Sequence, residues 1–213
     1  MGHTTTDGPR IAGLLLAAGG GRRLGGRPKA LLEHRGRPLV EHAVAVLRAG
    51  GCDVVHVVLG AAAGAVRERA SLPGCVLVDN PDWEGGMGSS LRVGLASLAS
   101  PPPAPAGGAD AAGADAVVVS LVDQPGIGPE AVRRVAAAYR SRGALAAAAY
   151  DGKRGHPVLI GADRWADVGL SAEGDRGARA YLKAHEAAIV LVECGDVAEP
   201  YDIDTVDDLA HLE

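Results

Sequence analysis

The sequence predicts an α/β fold in which helices cover both faces of a mostly parallel central sheet. Three observations carry that expectation. Apolar β-prone runs alternate with helical patterns along the chain, giving a βαβ rhythm. Runs such as Val54-Val55-His56-Val57-Val58-Leu59 and Ala116-Val117-Val118-Val119 are apolar almost throughout, as strands buried on both faces must be. The composition is 47% hydrophobic with 3% aromatic and no Phe, which calls for a core of small aliphatics with helices packed close to the sheet. At 213 residues, the chain fits one domain with a sizeable core.

Taken in order, residues 1–9 form a flexible tail, and the apolar run from Ile11 reads as a buried strand over 11–17. A helix over 38–50, a strand over 54–59, a helix over 62–70 and a strand over 75–78 follow. The helix over 88–99 opens on the glycine-rich segment GGMGSSL, where hydroxyls and free N–H groups can meet a base or a phosphate. Residues 100–114, SPPPAPAGGADAAGA, hold no apolar period and read as a disordered surface insertion. Beyond it come a strand over 116–122, a helix over 129–142, strands over 145–150 and 156–160, a helix over 176–185 with Asp175 as its cap, and a strand over 188–193. A final helix over 205–212 starts at Thr205 as N-cap, with Asp208 completing a capping-box-like pair. Asp207 and Asp208 read as helix-dipole and capping residues.

Several function classes are disfavoured. The net charge of −5 and the scarcity of aromatics leave no stacking platform for single-stranded nucleic acid. Cys52, Cys75 and Cys194 are widely spaced and in no CxxC arrangement, so they read as buried small hydrophobes in a reducing compartment, without disulfides or cysteine-bound zinc. The amino terminus lacks the apolar core of a signal peptide, and no apolar run reaches the about 20 residues that span a bilayer. The expectation is a cytoplasmic protein with no nucleic-acid or membrane partner.

The most informative stretch is Leu14 to Lys29, LLLAAGGGRRLGGRPK. Glycines directly after a buried strand let main-chain N–H groups approach a polyphosphate that Cβ atoms would hold off. From Arg22 to Arg37, Arg22, Arg23, Arg27, Lys29, Arg35 and Arg37 against Glu33 make the chain locally +5 although it is acidic overall, which suggests a focused anion site. Two familiar loop patterns fail. For GxGxxG the third position is Leu24, and for a P-loop Arg27 and Pro28 stand where Lys and Ser/Thr belong. Farther on, Ser120-Leu121-Val122-Asp123-Gln124-Pro125 sets a carboxylate at the end of a buried strand, on the same sheet edge as the glycine loop. Asp123 is a candidate metal ligand, since Mg²⁺ takes one or two carboxylates beside phosphate oxygens; the alternative is a cap for the turn before Pro125. In Tyr201-Asp202-Ile203-Asp204-Thr205 the alternation puts both carboxylates opposite Ile203, so either Asp202 or Asp204 could be a second ligand.

Leu16, Gly19, Gly21, Arg23, Gly25 and Lys29 together resemble the signature of the GT-A-like nucleotidyltransferases. Three further segments narrow the resemblance: NPDWEGGMGSSLRVGL (Asn80 to Leu95), GHPV (Gly155 to Val158) and GDRGAR (Gly174 to Arg179). With VDQP and DIDT they look like the molybdenum-cofactor cytidylyltransferases, the MocA-like group of the MobA-like NTP transferases. The matching pieces spread over the chain apart from the tail and the 100–114 insertion. Related guanylyltransferases carry LAGG and GPLAG where this sequence has Leu16-Ala17-Ala18-Gly19 and Gly86-Met87-Gly88-Ser89-Ser90-Leu91, which favours cytosine over guanine. One departure is Gly88, where the group more often has serine; the glycine is expected to loosen the nucleobase loop.

The resemblance implies a three-layer Rossmann-like fold, CTP or another NTP as substrate, Mg²⁺ as cofactor, a molybdenum-pterin acceptor and a recipient molybdenum hydroxylase. It implies that Leu16, Ala17, Ala18, Gly19, Gly20, Gly21, Arg23 and Lys29 surround the phosphates, while Asn80, Gly86, Ser89 and Ser90 take the nucleoside. Asp123 and Asp204 would hold the metal, and Arg23, Lys29 and Asp123 would be the catalytic groups. His156, Pro157, Arg176, Gly177 and Arg179 fall to the acceptor. Asn80 before Pro81 equally suits a turn, and His156 equally suits a strand entry with a backbone partner. Other readings are a guanylyltransferase or sugar-phosphate nucleotidyltransferase on the same cradle, and a non-catalytic carrier or insertion chaperone for the cofactor. Retention of Asp123, Asp204 and Lys29 argues against the carrier.

Overall fold

The computed structural model describes residues 8–99 and 113–212. In chain order the elements begin with β1 (Ile11–Ala17), a short hairpin of β2 (Glu33–His34) and β3 (Arg37–Pro38), α1 (Leu39–Ala49), β4 (Val55–Leu59), α2 (Ala63–Arg69) and β5 (Val76–Asp79). They continue with α3 (Met87–Ala99), β6 (Ala116–Leu121), α4 (Pro129–Ala137), β7 (Leu145–Tyr150), β8 (Lys153–Gly161), α5 (Trp165–Ser171), α6 (Arg179–Ala184) and β9 (Ile189–Glu193).

Seven strands form one sheet in the order β5-β4-β1-β6-β8-β7-β9. β5, β4, β1 and β6 are mutually parallel, β8 runs antiparallel to both β6 and β7, and β9 is parallel to β7. The sheet is mostly parallel, with helices on both sides. Every residue of β1 is buried, and alternation divides its side chains between two cores. Ile11, Leu15 and Ala17 pack with α1, α2 and α4 on one face. Ala12, Leu14 and Leu16 pack with α3, α5 and α6 on the other. The approach on that second face is close, since a Cβ added to Gly94 of α3 would lie 2.6 Å from Leu14 Cδ1.

All seven sheet strands stand where the apolar runs place them, with β8 starting earlier, at Lys153. Three helical expectations need correction, and one helix is unexpected. The helix expected over 129–142 stops at Ala137, and that over 176–185 divides into a 3₁₀ turn (Gly174–Arg176) and the six-residue α6. The segment 205–212 winds as 3₁₀ over Asp207–Leu212. α5 is additional; only Trp165 and Val168 of its seven residues are buried, so its apolar period is too short to read. Residues 1–7 of the expected tail and 100–112 of the expected insertion lie outside the described residues; Ala114, at the end of that insertion, is buried. No helix among the described residues is long and apolar enough to cross a membrane. The three cysteines are free and buried.

His56, in the middle of β4, is fully buried, with Nδ1 2.8 Å from the Ser97 hydroxyl. Burial lowers its pKa to about 4, against 6.5 for an exposed imidazole. The unfolded chain therefore takes a proton below about pH 6.5 that the folded protein refuses, so stability is full above that pH and drains as pH falls toward 4. His56→Leu is expected to remove about 3 kcal/mol of this acid sensitivity, read from urea midpoints at pH 7 and pH 4. An unchanged difference between the two midpoints would contradict it.

Candidate active site

β1 and β6 are neighbours in the sheet, with Leu16 opposite Leu121, so the loops leaving their carboxyl ends open side by side. Strand order reverses here: the chain steps outward from β1 to β4 and β5, then returns to the other side of β1 with β6. Open α/β sheets form their ligand crevice at such a point.

The glycine loop after β1 is pinned from inside and open outside. Gly21 has φ 61°, and a Cβ there would lie 1.9 Å from the Arg27 carbonyl oxygen, so no other residue fits this turn. The Gly21 carbonyl accepts from Leu24 N and Gly26 N, at 2.8 and 3.0 Å, and the Leu24 side chain is fully buried below. Leu16, Ala17 and Ala18 are buried, Gly20 sits against the Trp83 ring, and a Cβ on Gly19 would meet nothing within 4 Å. Arg22, Arg23 and Arg27 project from the exposed side.

Two carboxylates face this loop. Ile203 N donates to the Asp123 carbonyl at 2.9 Å, which binds the segment after β9 against the end of β6 and brings Asp204 beside Asp123. Lys29 Nζ donates to Asp123 Oδ2 at 2.6 Å and also to Asp204 Oδ1, and Arg23 Nη1 stands 3.6 Å from Asp204 Oδ2. Burial alone would lower the Lys29 pKa; the Asp123 and Asp204 carboxylates outweigh it and hold the ammonium above its ordinary value. Asp202 turns elsewhere, accepting from Gln124 Nε2 at 2.8 Å. Burial, with Asp123 and Asp204 adding to it, raises the Asp202 pKa. Of the two alternatives left by the sequence, Asp204 is the one that joins Asp123. Asp208 accepts from Asp204 N, Thr205 N and the Thr205 hydroxyl, the capping function expected of it.

Beside this cluster lies a cavity of about 370 Å³. Leu16, Leu91, Val119, Leu121, Val158 and Ile160 give it an apolar lining, to which Arg154, His156, Arg176 and Arg179 add cationic and imidazole groups and Asp175 and Asp202 carboxylates. His156 and the two arginines singled out by sequence thus come together; Pro157 is buried in β8 and Gly177 is buried against Met87. Burial lowers the His156 pKa to about 4, with Asp123 opposing and Arg154 and Arg179 reinforcing, so the imidazole is neutral at pH 7. Its carbonyl accepts from the Tyr150 hydroxyl at 2.7 Å, the backbone partner of the alternative reading. Arg154, Gln124 and Asp202 were missed as lining residues. The signal for Arg154 was present: Arg154, His156, Val158 and Ile160 recur at the two-residue period of one strand face.

On the side expected to take the nucleoside, the Asn80 side chain bonds within its own loop. Asn80 is 2% exposed; Oδ1 accepts from Asp82 N at 3.0 Å, and Nδ2 donates to the hydroxyls of Ser89 and Ser90 at 2.9 and 3.0 Å. Ser89 Oγ also lies 2.8 Å from the Gly86 carbonyl. These three polar residues, each at least 96% buried, tie the loop together from within; Glu84 and Gly85 are exposed and Gly86 and Met87 half-buried, while Gly88 is buried with the two serines. Gly88 corrects a further expectation. A Cβ there would lie 2.7 Å from Glu173 N, so the glycine tightens a contact where loosening was expected. Asp175 makes no capping bond; its Oδ1 lies against Gly86, where a Cβ would approach to 2.5 Å.

Comparison with known proteins matches residues 13–189 to the MobA-like NTP transferase domain. The chain is 41% identical to the nicotine blue oxidoreductase of Paenarthrobacter nicotinovorans, covering 97% of this chain and 98% of that protein. It is 30% identical to the molybdenum cofactor guanylyltransferase of Rhodobacter capsulatus, covering 96% and 95%. The crystal structure of a Mycobacterium tuberculosis H37Rv protein, Rv0371C in complex with manganese, superposes with a TM-score of 0.74 at 28% identity, over 95% of this chain and 97% of that one. The chain belongs to the family of MobA-like NTP transferases, nucleotidyltransferases of Rossmann-like fold.

Proposed function

We propose that this protein transfers CMP from CTP to the terminal phosphate of a molybdenum-pterin cofactor, releasing pyrophosphate and forming the cytosine dinucleotide form of that cofactor. The observation that carries this reading is the convergence of Asp123 and Asp204 on one cationic centre beside the glycine loop. That centre is the Lys29 ammonium, a stand-in ion that tests whether a metal suits the pair: two carboxylates converge on a single positive charge from either side, an all-oxygen donor set that fits Mg²⁺. A divalent cation held by Asp123 and Asp204 would neutralise charge building on the α-phosphate. The manganese in the Mycobacterium tuberculosis relative agrees with use of a divalent ion.

The nucleophile belongs to the acceptor. One of its phosphate oxygens forms a bond to the α-phosphorus, the bond from the α-phosphorus to the bridging oxygen breaks, and that oxygen leaves with the electron pair as part of pyrophosphate. A phosphate dianion needs no base at pH 7, so the protein supplies alignment and charge neutralisation. The main chain of Gly19 to Gly21 lines the triphosphate, and Arg23 and Lys29 take the charge of the departing pyrophosphate. Lys29 leaves the carboxylates to do so, since a second cation would occupy its place. The loop at Gly86 and Met87, held in shape from beneath by Asn80, Ser89 and Ser90, receives the cytosine. Arg154, Arg176 and Arg179 hold the anionic end of the acceptor against the apolar lining, with neutral His156 as a hydrogen-bond partner. A recipient molybdenum hydroxylase takes the product.

The preference for cytosine rests on Leu16-Ala17-Ala18-Gly19 and the Gly86 to Leu91 segment, whereas the Rhodobacter capsulatus relative is a guanylyltransferase. Thermal unfolding against the four NTPs with Mg²⁺ decides. CTP at 100 times its Kd should add about 2.7 kcal/mol of stability, and a shift with GTP and none with CTP refutes the assignment. A second reading comes from the 41% identity to an oxidoreductase. The three cysteines are buried, so electrons would have to come from a bound donor, such as a reduced nicotinamide dinucleotide whose pyrophosphate lay on the glycine loop. Stabilisation by that dinucleotide, with no pyrophosphate released from CTP and the pterin cofactor, would favour it.

A further inference from the structure

We propose that Gly86 and Gly88 join the segment 172–179 to the nucleotide loop, so that the loop seating the nucleobase also sets where Arg176 and Arg179 stand. This rests on the assignment of the loop at Gly86 and Met87 to the nucleotide and of the two arginines to the acceptor. The contact is backbone against backbone. A Cβ on Gly86 would lie 2.5 Å from the Gly174 carbonyl carbon, and one on Gly88 would lie 2.7 Å from Glu173 N and 2.9 Å from the Ala172 carbonyl carbon. From the other side, a Cβ on Gly177 would lie 3.1 Å from Met87 Sδ.

At Gly88 the nearest atoms of the segment are all backbone, and at Gly86 the Gly174 carbonyl packs as closely as the Asp175 carboxylate, so no rotamer change alone can absorb a shift of one segment relative to the other. Arg92 Nη1, from the next turn of α3, donates to the Ala172 carbonyl at 2.5 Å. A β-bridge between Glu173 and Gly177 closes the segment on itself. Displacing the loop backbone therefore moves Asp175, Arg176 and Arg179 together. A serine at position 88, the commoner residue in the group this chain resembles, would force the segment outward. Gly88 is a positioning residue: it holds the acceptor arginines close to the nucleotide, and an occupied nucleotide loop presents them to the acceptor in one place.

Limited trypsinolysis tests this, because cleavage after exposed Arg176 and Arg179 reports on the freedom of the segment, with exposed Arg140 as reference. Without ligand, Gly88→Ser is expected to raise cleavage after Arg176 about tenfold relative to Arg140. CTP with Mg²⁺ is expected to slow that cleavage about fivefold in the wild type and to leave it unchanged in Gly88→Ser, although CTP still raises the melting temperature of the variant. Wild-type cleavage by ligand-free Gly88→Ser, or equal protection of both proteins by CTP, would overturn the proposal. If CTP fails to stabilise the wild type, the functional reading has failed, and the ligand-free comparison still judges the contact. Arg92→Leu covers the case of a Gly88→Ser protein that does not fold: Arg92 is exposed, its loss removes only the bond to Ala172, and cleavage after Arg176 at the wild-type rate would again overturn the proposal.

Discussion

Asp123→Ala is expected to slow pyrophosphate release from CTP, Mg²⁺ and the pterin cofactor by about 10²–10³-fold, the usual cost of removing one group that stabilises transition-state charge. The protein should remain folded. Asp123 lies at the exit of β6, its side chain 19% exposed, and Lys29 keeps Asp204 as partner when Asp123 is gone, so no buried charge is stranded. The melting temperature in EDTA is therefore expected to stay near that of the wild type while the rate collapses. Asp204→Ala should cost less in stability still, since Asp204 is 44% exposed, and a comparable amount in rate. A near-normal turnover for Asp123→Ala would remove the mechanism.

Lys29→Met should produce two effects of opposite appearance. Turnover is expected to fall by about 10²–10³-fold relative to the wild type, because the departing pyrophosphate loses its principal counter-charge. Binding of Mn²⁺ to the nucleotide-free protein should instead tighten, by about tenfold or more. The reason is competition for one place. The Lys29 ammonium occupies the space between Asp123 and Asp204, and a divalent cation entering about 4 Å away meets a repulsion of about 2–8 kcal/mol, depending on screening. Methionine keeps the length of the chain and removes the charge, leaving both carboxylates to the metal. Electron paramagnetic resonance of free Mn²⁺ measures the affinity without any turnover. Affinity equal to or weaker than that of the wild type would mean that Lys29 and the metal do not compete.

The legibility of this site varied with the kind of information each residue carries. Asp123 could be found because an apolar run ends on it, and the sheet edge follows from the direction of the strand. Asp202 and Asp204 could not be separated by alternation, since both lie opposite Ile203; the hydrogen bond from Ile203 N to the Asp123 carbonyl decides which of them meets Lys29. Arg154 was legible by its two-residue spacing from His156. Asn80 shows the reverse. Its chemistry suits a base edge, yet its amide is consumed by Asp82, Ser89 and Ser90, partners that composition does not reveal. Gly88 suggested slack in one dimension and proves to be a contact in three.

What the sequence by itself determined is local: the strand runs, the glycine loop, the burial of the core and the membership of each carboxylate in a strand end or turn. Those features depend on periods of two or 3.6 residues and on backbone conformations that neighbouring residues dictate. The tertiary structure decided which distant groups meet. Lys29 is separated from Asp123 by 94 positions and from Asp204 by 175, and they come together because β6 enters the sheet beside β1. Strand order is a property of the whole core, reached only when every apolar face is covered at once, so no local pattern contains it.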